Sequence, residues 1–201
     1  MGEIPVSKSD PAAAKKERNK TIRWVVTIFF VTILVSGAIS LLSDYIMSVS
    51  GIVVAFLILM VIILVGIIFD IIGVAVASAD EKPFHSMAAR KVIGAQDAIK
   101  LLRNAERVSS ICNDVVGDIC GVISGSASAT IAAQVLNHFE FGWPQIVTLA
   151  MSALVAGLTV GGKAIGKTFA MNSCTQIIAF VGRFLYFLHD PTRLFAKKKK
   201  K

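Results

Sequence analysis

The 21 lysines and arginines of this chain fall in three blocks, six in residues 1–23, six in 82–107 and nine in 163–201. None lies between Trp24 and Ala79, or between Val108 and Gly162. Each gap can hold two helices of about 20 residues, the length that crosses a bilayer, joined by a short turn. Basic residues collect on the cytoplasmic side of membrane proteins. The pattern therefore predicts two membrane hairpins, with both termini and the middle connection in the cytoplasm. Of the 201 residues, 55% are hydrophobic and the mean hydropathy is +0.71, which suits a small multi-pass protein of the cell membrane better than a soluble domain. The formal charge of +8 is not interleaved with aromatics on one surface, so no nucleic-acid partner is expected.

The reading is an all-α membrane protein with four spans, at about 24–43, 51–79, 108–136 and 144–162, inside a transmembrane domain of residues 23–190. Residues 1–22 are expected to be a disordered cytoplasmic arm, 43–50 an external loop, and 191–201 a basic tail that meets lipid. Phe139, Phe141 and Trp143 mark the second external turn as an interfacial aromatic belt. Between the hairpins, Val92, Ala95, Ile99 and Leu102 recur at helical spacing, which predicts one amphipathic connecting helix over 86–105, weakened at Gly94. The run 168–189 is too short before Arg183 for a fifth crossing, so an interfacial helix with Phe180, Phe184 and Phe187 on its apolar side is expected.

Chemistry concentrates in the last two spans. Asn113, Asp114 and Asp118 stand within the third span, followed by Gly117, Gly121 and Gly125 at every fourth position and by Ser124. Such glycines make a smooth face for close packing, and a homodimer is the expected use of it. Asp114 and Asp118, four apart, share a face of a regular helix, and carboxylates that deep are functional by expectation. The fourth span ends in LTVGGKAIGK, residues 158–167, where Gly161, Gly162 and Gly166 predict a break in the helix. The break would leave Lys163 deep enough to pair with Asp118 or Asp114. Asp70, Ser124, Gly117 and Gly162 are candidate lining residues. Cys112 and Cys120 lie about 12 Å apart along one helix, too far for a disulfide. With no CxxC pair and three histidines, no zinc or redox site is expected. No nucleophile–base constellation or phosphate loop stands out, so no enzymatic activity is expected.

Several of these stretches resemble the transmembrane domain of the CorB/CorC (cyclin-M-type) magnesium and cobalt transporters. GGKAIGKTFAMNSCTQIIAFVG is similar to the family's "GE-x-x-PK-x-x-A…A" signature, with Gly162 and Lys167 matching. NAERVSSICNDVVGDICG is similar to its "N-P-E-R…I-G-N-x-x-V-N" stretch at Asn104, Glu106, Arg107 and Gly117, with Asp118 where an asparagine is usual. Gly94 with Ala98, and Phe69 with Ala75, fit two further short patterns. The resemblance covers about residues 51–190. It implies three spans and an interfacial helix, preceded here by an additional span, without the family's paired cystathionine-β-synthase domains. It also implies transport or efflux of a divalent cation such as Mg2+ or Co2+, held by Asp114, Asp118 and Asn113, with Mg2+ as the transported ion and no other cofactor. Lys163 stands where the family carries an acid and Gly166 where it carries proline. The alternative is thus a non-transporting membrane interaction or regulatory protein whose ion site Lys163 fills.

Overall fold

A computed structural model describes residues 11–138 and 143–189. The first ten residues, the basic tail and the turn aromatics Phe139 and Phe141 lie outside the described residues. The described chain is helical: α1 (Pro11–Val49), α2 (Ile52–Ser78), α3 (Lys82–Ala89), α4 (Ala95–Arg103), α5 (Ala105–Ser110), a π-helical segment (Ile111–Gly117), α6 (Asp118–His138), α7 (Pro144–Asn172) and α8 (Cys174–His189). Four stretches are long and apolar enough to cross a membrane: Asn19–Met47, Ile52–Ser78, Ala105–His138 and Pro144–Asn172. They fit a multi-pass membrane protein.

The most apolar of the four, α2, stands at the centre and packs against both α6 and α7, which also touch each other. One core joins Met47 of α1 to Ala55, Leu59 and Ile63 of α2, Ala127 and Ile131 of α6, and Val155 of α7. A second joins Ala75 and Val76 to Phe84, Ala98, Leu102, Ala170 and Ile178, so that α3, α4 and α8 cap one end of the bundle. Small residues set the spacing. A Cβ at Gly66 would lie 2.9 Å from Cys120 Cβ, and one at Gly166 would lie 2.8 Å from Ile71 Cγ1. The helix α1 is the outlier. It rests on α6 through its C-terminal part, where the Gln134 side-chain amide donates to the Met47 carbonyl at 2.7 Å.

Four expectations need correction. Helix α1 already begins at Pro11 and runs to Val49, about 58 Å of helix. Residues 11–22 are therefore not a disordered arm, and the loop over 43–50 shrinks to Ser50 and Gly51. Ser43 and Met47, within this last part of the helix, are buried. The glycines of α7 do not break it: the helix is continuous from Pro144 to Asn172, and Gly162 and Gly166 instead admit Ile67 and Ile71 of α2. The connecting helix is two helices. Lys91 and Gly94 take positive φ, 56° and 85°, a conformation that ends a helix and that glycine tolerates best. Ala95, Ala98 and Leu102 face inward, Ile99 is half-buried and Val92 is exposed. Finally, the third span is not regularly wound, since it holds seven π-helical residues.

Candidate functional site

Asp70 begins the site. It lies 18 residues into α2, and Lys163 lies 19 residues into α7. The two helices run parallel, so both side chains reach the same level, about 27–28 Å from the start of their helices. Asp70 is 3% exposed. Its Oδ1 is 3.9 Å from Lys163 Nζ and its Oδ2 is 3.8 Å from Lys167 Nζ. Lys163 also donates to the Gly117 carbonyl at 3.1 Å. That carbonyl belongs to the last residue of the π segment, where the winding of the span changes; such segments recur at functional sites. Gly117 leaves little room for a side chain. A Cβ there would lie 3.2 Å from Asp70 Oδ1 and equally 3.2 Å from Lys163 Nζ.

The electrostatics favour closure. An aspartate at the very centre of a membrane helix costs about 2.5–3.5 kcal/mol on insertion scales, an upper bound for Asp70, which lies nearer the C-terminal end of α2. One ammonium at 4 Å returns about 4 kcal/mol of attraction at an effective dielectric of 20, which stands against the burial cost of Asp70 and of Lys163 itself. Lys167 is half exposed, and solvent screens its share. One carboxylate thus faces two ammonium groups.

The expected pairing of Lys163 with Asp118 or Asp114 is not what forms. Asp114 is exposed and accepts from Ser110 Oγ at 2.7 Å. Asp118 is exposed in a groove of about 560 Å³ between α6 and α7, which Gly117, Ser124, Thr159 and Lys163 also line. Asp70 wins because α2 packs against both the π segment and α7 and presents a buried carboxylate at their level, whereas the two other aspartates are exposed. Asn113 does reach α2: a Cβ on Gly73 would overlap its Oδ1, and its Nδ2 donates to Ser109 Oγ at 3.2 Å. Asn113 Oδ1 and Asp70 Oδ2 are buried with no hydrogen-bond donor. Ser124 is buried and bonds the Cys120 carbonyl at 2.7 Å. Gly162 packs on Ile67 rather than on the polar groups.

A hard divalent cation takes six or more oxygens, carboxylates among them. Among the described residues no group of three or more His, Cys, Asp or Glu is placed to hold a metal, and the carboxylate nearest the centre is already paired. In sequence, Asp114 and Asp118 at a spacing of four stand out ahead of the single Asp70. A signal was present: Gly66 and Gly73 flank it at −4 and +3, the same helix face, which is the mark of a carboxylate inside a close helix crossing. Comparison of the chain with protein-family models, curated proteins and solved structures returned no match.

Proposed function

We propose that this is a membrane interaction or regulatory protein on a CorB/CorC-like transmembrane fold, in which the ammonium of Lys163 stands in for a transported cation. What supports the reading is the position of Lys163 Nζ, 3.9 Å from the Asp70 carboxylate and 3.1 Å from the Gly117 carbonyl. An ammonium held by oxygens from two helices, with Lys167 beside it, leaves a divalent ion to meet two positive charges. The expected partner is a second copy of the chain, set against the α6–α7 groove, where Gly121 and Gly125 line the wall and have open space around them.

Thermal unfolding of the purified protein with and without Mg2+ or Co2+ tests this. The parent protein is expected to show no divalent-dependent rise in Tm, whereas Lys163→Ala, which frees Asp70, gains one. Strong Mg2+ stabilisation of the parent, lost in Asp70→Asn, overturns the proposal.

That second outcome is the signature of the other reading, divalent-cation transport. The observation favouring it is the pair of buried oxygens without donors, Asp70 Oδ2 and Asn113 Oδ1, which are hard ligands of the kind Mg2+ accepts. Under it Lys163 must withdraw when the ion enters, and Mg2+ flux into proteoliposomes is lost in Asn113→Ala.

A further inference from the structure

The capped end of the bundle holds a second polar feature, unrelated to Asp70. A cleft of about 570 Å³ opens between α4, α5 and α8, with Lys100, Asp97 and Arg107 on its polar side and Leu101, Val108, Leu185 and Leu188 on its apolar side. A smaller hollow adjoins it on the side of α1, where Lys20, Trp24 and Glu106 meet the same Arg107. Lys100 is already engaged by Asp97 at 2.9 Å. Among the described residues Arg107 enters no ion pair. Three cations against two carboxylates leave one net positive charge, centred on a guanidinium that presents a fork of donors to a phosphate.

The apolar wall decides what kind of phosphate fits. A soluble anion gains nothing from the four leucine and valine side chains, of which Leu188 is 64% exposed. An amphiphile gains on both sides, by placing a headgroup at Arg107 and a chain along Leu185 and Leu188. The location agrees, since Arg107 is the third residue of the apolar stretch Ala105–His138, the depth at which headgroups meet a spanning helix. Trp24 lies at the same level, as interfacial tryptophans do.

We propose that the cleft between α4, α5 and α8, with the hollow that adjoins it on the side of α1, is a binding site for a phospholipid with a singly anionic headgroup, recognised by Arg107 with Lys20. Basic pockets between helices at the membrane surface recognise anionic headgroups in this way.

Trp24 supplies the probe, because the chain has two tryptophans and Trp143→Phe leaves Trp24 alone. The protein is reconstituted with brominated phosphatidylglycerol or brominated phosphatidylcholine, and quenching of Trp24 is followed against mole fraction. Phosphatidylglycerol is expected to quench at a several-fold lower mole fraction. Arg107→Gln is expected to weaken that preference about fivefold, the size of one basic contact, while Lys82→Gln, whose ammonium is exposed beside Asp80, leaves it unchanged. Lys20→Gln, on the exposed side of α1, serves as the second variant if Arg107→Gln does not fold, and lowers the preference in the same direction. Equal quenching by the two lipids overturns the proposal, as does an equal loss in Lys82→Gln. So does removal of the preference by excess inorganic phosphate, which would mark a site for soluble anions.

Discussion

Asp70 shows how one side chain organises three helices. It is buried, it lies against two lysines, and the single glycine that lets them approach belongs to a third helix. Removing one partner of a buried pair leaves an uncompensated charge, a cost of about 3–5 kcal/mol. Asp70→Asn and Lys163→Met are each expected to destabilise the protein by that order, with Lys167 softening the second. The double variant is expected to cost clearly less than the sum, and a thermodynamic cycle from denaturant unfolding measures the difference. Additive losses would show that the 3.9 Å approach carries no coupling. Gly117 makes a second test with a built-in control. Gly117→Ala forces a methyl against Asp70 and Lys163 and is expected to cost about 1–3 kcal/mol, the range for overpacking. Gly121→Ala places its methyl in open space and is expected to raise the stability of the single chain by about 0.5–1 kcal/mol through helix propensity. Its cost appears instead in the mass of the detergent-solubilised assembly if a second copy covers that face. Asp70 was hard to rank from sequence because periodicity reports the face of a residue but not which neighbour meets it. Asp114 and Asp118 looked stronger for the same reason, and the π winding between them was invisible to a count by fours.

At the scale of elements, length and apolarity made the four spans legible, while the punctuation between them was misread. Glycine is ambiguous in sequence, since it marks either a break or a close approach. In α7, Gly162 and Gly166 mark an approach: the helical ladder stays intact and α2 moves in. At Gly94 the meaning is the break, and the spacing of Val92, Ala95, Ile99 and Leu102 hid it, because two successive short helices can mimic the period of one. The turn serves packing as well. A Cβ on Gly94 would lie 2.5 Å from the backbone nitrogen of Arg183, and one on Gly182 would lie 2.6 Å from the Gly94 carbonyl. The two backbones therefore cross nearly in contact, and α8 is held on α4 by that crossing. Gly94→Ala meets both a left-handed φ and a backbone clash, and is expected to cost at least about 2 kcal/mol. Limited proteolysis is the matching readout, with cleavage near residues 90–94 rising well before the rest of the bundle opens. Unchanged protection would show that α8 is held by its apolar contacts alone, those of the core that Ile178 shares with Ala98 and Leu102.

For the whole molecule, the strongest constraint in the sequence is where lysine and arginine are missing; the four long apolar helices are centred on those gaps, and three of them run past the edges to include Lys20 and Arg23, Arg107, and Lys163 with Lys167. The parallel register of α2 and α7 follows from the same pattern. Both helices start at the end opposite α3, α4 and α8, and both carry their ionisable groups about two-thirds of the way along, at Asp70 and at Lys163 with Lys167. Orientation in the membrane is a separate matter, decided by charge next to the spans. The end bearing α3, α4 and α8 carries Lys82, Arg90, Lys91, Lys100, Arg103 and Arg107, whereas Trp143 and the Ser50–Gly51 turn at the other end have no basic neighbour in sequence. We therefore expect the capped end in the cytoplasm and Trp143 outside. Replacing Cys112, Cys120 and Cys174 with alanine gives a background for single-cysteine labelling. Trp143→Cys, at an exposed site, is expected to react with an impermeant maleimide on intact cells. Gln96→Cys, exposed on α4, is expected to react only after permeabilisation. The reverse pattern would place the basic end outside the cell, remove the basis for the cytoplasmic assignment of both termini, and turn the Arg107 cleft toward the outer leaflet.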